Sequence, residues 1–224
     1  GRDCQKCNQG DLPCTEYRCK SLGQRCELEN PGTTEELCVW KNRNDVKPPV
    51  IQTWAKVLTT GYKYIDDTAI SPPDRGVKIV PQNNNTGCIV PYKSLTFGIT
   101  LDEPGRCKID TSNKRNFDDM DYFFGESSTA KYNHSQTLRH PSAEALAAEN
   151  MTLENGGRFT LYTRCQDTND PANENIGNFV FKFCVDQGPD ETAPEIVTTS
   201  IINGMPILFN TSSVALDVYV DEPA

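Results

Sequence analysis

The chain has 224 residues, 22 Lys+Arg against 31 Asp+Glu, and a formal net charge of −9. That length holds one large domain or two small ones, and the acidic balance offers no electrostatic footprint for nucleic acid or an anionic membrane surface. No run of about 18 apolar residues is present, so no membrane-spanning helix is expected. No signal peptide is visible. A chain that opens at Gly1 and stops inside strand-like sequence is expected to be a processed or excerpted piece of something longer.

Residues 1–45 hold six of the ten cysteines, Cys4, Cys7, Cys14, Cys19, Cys26 and Cys38. Cys4-x2-Cys7 and Cys14-x4-Cys19 could ligate zinc through four thiolates. The six residues between the pairs are short for a zinc-ribbon loop, however, and no His is near. A disulfide-stapled segment with too little apolar sequence for a core of its own is the better reading. Six cysteines allow 15 connectivities, so the pairing stays open. Haem attachment is excluded, because Cys7 is followed by Asn8 where His is required.

Residues 46–188 read as β. Leu95, Phe97, Ile99 and Leu101 alternate with Thr96, Gly98 and Thr100, the period of a half-buried strand. Asp102-Glu103-Pro104-Gly105 then carries turn chemistry and is expected to break that strand. Phe159 and Leu161 alternate with Thr160 and Tyr162. Phe179, Phe181, Phe183 and Val185 share one face of a later strand. One short helix is expected over Ala143 to Ala148, with Ser142 as its N-cap. Short strands, turns and little helix indicate an all-β, Ig-like β-sandwich. If Cys107 and Cys165 lie on its third and sixth strands they are neighbours and can pair. Cys88 and Cys184, near its first and last strands, form the other expected pair. Disulfides throughout imply an oxidising, extracellular compartment.

Residues 189–224 repeat two motifs of residues 45–104. Asp45-x3-Pro49-x-Ile51 matches Asp190-x3-Pro194-x-Ile196, each after a Cys-Val step. Leu95-x-Phe97-x-Ile99-x-Leu101-Asp102-Glu103-Pro104 matches Val214-x-Leu216-x-Val218-x-Val220-Asp221-Glu222-Pro223. Two motifs in one order suggest tandem units, the second holding only the opening strands of a partial β-sandwich. Unpaired edges and an exposed apolar face then call for completion by a neighbouring copy, with residues 1–45 as donor and the strand Val214 to Val220 as acceptor, or for a covalent array.

Cys107-Lys108, then Gly157-x-Phe159-x-x-Tyr162-x-x-Cys165-x-Asp167, then Cys184-Val185-Asp186 resemble the Ig-like or fibronectin-III-like modules of large secreted archaeal cell-surface proteins. Cys19 to Trp40 is similar to the spacers between such modules. The resemblance covers most of the chain through short, loose motifs. It implies a cell-surface or filament role and no catalysis; copies of the chain itself, in a homopolymer or tandem array, are the partners that the two repeated motifs suggest. The unit from 46 to 188 is longer than a usual module of about 100 residues, and Tyr162 stands three residues before Cys165.

Chemical signals are few. Asn84, Asn133, Asn150 and Asn210 head N-glycosylation sequons. His134 and His140, six apart, are expected in a polar surface loop. Calcium is the one cofactor the composition suggests, through Asp118, Asp119 and Asp121 and through Asp167 with Asp170, although no EF-hand spacing occurs. Trp40 and Trp54 are expected to be buried against a neighbouring domain. An adhesin that holds a glycan or partner cell through residues 112–157 is the alternative function. An extracellular hydrolase would need a carboxylate pair in a cleft.

Overall fold

Where the first forty residues lack an apolar core, sulfur supplies one. In the computed structural model Cys4 pairs with Cys26, Cys7 with Cys14 and Cys19 with Cys38. Leu22 and Leu28 pack against these buried sulfurs. The zinc reading is therefore replaced: every thiol is consumed by a disulfide. The structure describes residues 3–9, 12–42, 44–91, 93–138, 157–186, 196–201, 206 and 209–220. It divides into two compact units, Gly1–Gln187 and Gly188–Ala224.

The Cys-rich segment contains helix α1 (Glu16–Ser21) and a hairpin of β1 (Cys26–Glu29) and β2 (Leu37–Trp40). Thr15 caps α1, its Oγ1 accepting from the Arg18 N–H. Six residues are too few to hold a helix in water, and the Cys19–Cys38 bridge anchors this one to β2. The segment is docked on the rest of its unit. Asn30 donates its side-chain amide to the Ala130 carbonyl and accepts from the Ala130 N–H, a two-point contact with the backbone. Glu29 pairs with Lys41 and Arg106.

The body carries β3 (Ile51–Thr53), β4 (Tyr62–Asp66), β5 (Arg75–Pro81), β6 (Leu95–Asp110), β7 (Tyr122–Phe123), β8 (Lys131–Leu138), β9 (Arg158–Asp167) and β10 (Phe179–Cys184). They form one sheet in the order β3-β6-β9-β10-β5-β4, with β7 and β8 also on β6. The expected break at Asp102–Gly105 does not occur. β6 runs through it for 16 residues. Its first half pairs with β3 and β8, and its second half with β9 and β7. The register against β8 shifts between Thr100 and Gly105. Asp102-Glu103-Pro104 is therefore the bend where one strand changes neighbours. Pro104, which cannot donate a ladder hydrogen bond, is tolerated there.

This bend makes one nearly closed sheet where two separate layers were expected. Tyr64 of β4 bridges the remaining gap. Its hydroxyl accepts from the Gly98 N–H at 3.0 Å and donates to the Gly98 carbonyl at 3.4 Å. Burial pushes the phenol up to about 12, so it stays a neutral donor. Gly98 has no room for a side chain: a Cβ would lie 2.7 Å from the His134 carbonyl and 2.7 Å from Val57 Cγ1.

The interior is aromatic. Phe181 packs on Phe97, Phe179 and Phe124 with ring centroids 4.8, 5.2 and 6.3 Å apart. Cys107 and Cys165 stand directly opposite on β6 and β9 and are bonded. Cys88 is bonded to Cys184 beside a parallel bridge between Ile89 and Val185. The expected helix at 143–148 lies outside the described residues.

The second unit contains β11 (Ile196–Thr199) and β12 (Val218–Val220), paired antiparallel. The strand expected from Val214 is regular only over its last three residues. In the body Ile51 faces Leu101; in the second unit Ile196 faces Val220. These are the same positions of the two sequence motifs. A bulge after Ile196 then shifts the second pairing by one residue.

Candidate functional site

The acidic loops singled out from the sequence are already satisfied or open to solvent. Asp167 is buried. Its Oδ1 accepts from the Asn169 and Asn173 N–H groups, and its Oδ2 from both side-chain amides. It organises its own loop. Asp118, Asp119, Asp121 and Asp170 are exposed. Among the described residues, the sets of three ligand atoms gathered within 4.8 Å are all cysteine sulfurs, and each is in a disulfide. No carboxylate set at calcium-ligand distance forms there.

Other expectations shift as well. His134 does not lie in a surface loop: it is buried in β8, its Nε2 3.0 Å from the Gly105 carbonyl, and burial pulls its pKa down. The polar run of Lys131–Leu138 hid a strand, because only His134 of that run is buried. His140 lies outside the described residues, as does Asn150. Asn84, Asn133 and Asn210 are exposed, compatible with sequon use. Trp54 is part-buried beside Gly98, but Trp40 is 46% exposed.

Trp40 stands in a cleft of about 370 Å³ between the Cys-rich segment and the body, with Asp45, Asp102, Glu103 and Tyr132. The sequence motif Asp-Glu-Pro brings two of these carboxylates to the β6 bend. Glu103 is the unusual one. Partial burial, then repulsion from Asp167, Asp45 and Asp102, pushes its carboxyl up to about 7. A folded-state value above the unfolded one means that the stability present below about pH 4.5 is lost as pH rises through 7. We expect Glu103→Gln to stabilise the protein above pH 7 by on the order of 1–2 kcal/mol, after allowing for solvent screening, and to flatten the pH dependence. Urea midpoints at pH 5 and pH 8 measure this. An equal variant effect at both would contradict it.

A second concavity, about 530 Å³, lies on the outer face of β5, β9 and β10. The strand alternation that points Phe159, Phe181 and Phe183 inward points Lys78, Arg158 and Lys182 outward. Asp67 sits between two of these cations, 3.2 Å from Lys78 and 2.9 Å from Lys182. Burial alone would raise its carboxyl; the two ammonium groups outweigh that and hold it below its usual value. Neither the groove nor Glu103 was visible as a site in the sequence, since their residues come from distant strands.

The assembly residues expected on the second unit are all exposed: Val214 47%, Leu216 55%, Val218 47% and Val220 46%. Their motif counterparts Leu95, Phe97 and Ile99 are at 0% and Leu101 is at 7%.

No family model matches this chain, and no curated protein or solved structure matches it. Its function therefore has to come from its own geometry.

Proposed function

We propose that this chain is a non-catalytic extracellular structural protein, a subunit or repeat of a surface filament or stalk built from disulfide-reinforced β units and completed between copies. The observation that carries this is the second unit. Its Ile196–Val220 pairing falls at the motif positions of Ile51–Leu101, yet the apolar positions that the body buries stand open in it. A two-stranded ribbon is marginal in water, and exposed apolar edges invite pairing. Five disulfides fit an oxidising, extracellular compartment, and no helix among the described residues is long and apolar enough to cross a membrane.

The Cys-rich segment pairs β1 with β2 and docks on its own body. That favours the body of a neighbouring copy, over residues 1–45, as the completing partner.

Sedimentation velocity across a wide concentration range tests the proposal. The intact chain is expected to form concentration-dependent oligomers. Leu216→Asp, a change at an exposed position that leaves the body untouched, is expected to weaken them at least tenfold, about 1.4 kcal/mol. A chain that stays monomeric at every concentration would sink the proposal.

A further inference from the structure

We infer that the groove of Lys78, Arg158 and Lys182 on the body of one copy receives the β11–β12 ribbon of the next, so that copies join head to tail. This rests on the assembly proposal and names the surfaces that carry it.

Charge distribution is the first support. Residues 188–224 contain Asp190, Glu191, Glu195, Asp217, Asp221 and Glu222 and not one Lys or Arg. All 22 of the chain's basic residues lie in the body and the Cys-rich segment. Two ribbons packed face to face would oppose like charges, which costs several kcal/mol at an interface. The ribbon's apolar side chains need a cover that is neutral or basic.

The groove is such a surface on an otherwise acidic protein. Three cations border it, and the one carboxylate among them, Asp67, is 6% exposed and already paired with two of the three. Arg158, at the first position of β9, is exposed. Val80 stands on the same outward face of β5 as Lys78, and Thr160 and Tyr162 are at the same surface. The ribbon offers the complement. Val218, Tyr219 and Val220 are exposed, and Asp217, also exposed, directly precedes them.

Groove and ribbon are different surfaces, so the contact is heterologous. Each copy that docks its ribbon keeps a free groove, and the series stays open, as in a filament. Charge pairing at the rim also makes association sensitive to ionic strength.

The test is sedimentation velocity on the full chain, the Leu216→Asp chain and three charge variants. Arg158→Glu and Asp217→Lys alter exposed side chains and leave the Asp67 pairs intact. Each is expected to raise the dissociation constant of self-association about tenfold, and high salt is expected to weaken the native chain in the same direction. The doubly substituted chain, which exchanges the two charges, is expected to recover at least part of the loss. If neither single charge variant changes association while Leu216→Asp still weakens it, the ribbon is covered elsewhere: this inference fails and the assembly proposal stands. If the native chain never associates, both fail.

Discussion

Replacing Cys88 and Cys184 together by alanine is expected to destabilise the larger unit by about 4–5 kcal/mol, the loop-entropy value for a crosslink of this span. The bridge joins residues 96 apart in sequence. It sits where β10 ends and where Ile89 and Val185 meet in parallel, and β10 also lies parallel to β5. Parallel neighbours cannot be joined by a tight turn, so their register depends on distant chain. The bridge removes that freedom from the unfolded state. The Cys7–Cys14 bridge, which spans only 7 residues, is worth roughly half as much by the same logic. Guanidinium unfolding of the two double variants measures the contrast. A loss below about 1 kcal/mol for the Cys88–Cys184 pair would contradict the assignment.

Phe181→Ala is expected to cost about 3–5 kcal/mol. Phe181 is fully buried on β10 and touches the rings of Phe97 on β6, Phe124 and Tyr64 on β4. It therefore links the wall of β5, β9 and β10 to the first half of β6. Deleting it opens a void lined by aromatic rings that the closed sheet cannot collapse to fill. Ile176, 82% exposed, provides the control: its alanine variant is expected within about 0.5 kcal/mol of the native chain. Urea denaturation with an unchanged slope identifies the effect as lost packing.

Much of the β architecture was legible, because alternation is a local signal. Phe159, Leu161, Phe179, Phe181 and Phe183 lie inward as their spacing requires. The pairs Cys107–Cys165 and Cys88–Cys184 were expected from a sandwich layout and form instead within one sheet, across β6 and β9 and beside the Ile89–Val185 bridge, whereas the six clustered cysteines carry no strand pattern that could select one connectivity. Asp102-Glu103-Pro104-Gly105 misled for a physical reason. Residues that end a strand also serve to bend one, and only the neighbouring strands decide which occurs. His134 was hidden by the polar residues around it in β8. The two concave sites were not legible at all. Glu103 acquires its raised pKa from burial and from Asp45 and Asp167, far away in sequence, and Lys78, Arg158 and Lys182 meet only because β9, β10 and β5 are adjacent. Two short motifs suggested a repeat in the sequence. The Ile51–Leu101 and Ile196–Val220 pairs give those motifs a common position in a strand ladder.

On the proposed function the second unit is an unfinished β unit that a neighbouring copy covers. Amide hydrogen exchange on the intact chain, followed by mass spectrometry at low and high protein concentration, tests it most directly. Peptides spanning β3 and β6 are expected to be protected at both concentrations, since that pairing is internal. Peptides spanning Ile196–Thr199 and Val218–Val220 are expected to exchange quickly when dilute and to gain protection as concentration rises. Rapid exchange of those two strands at every concentration would contradict the claim.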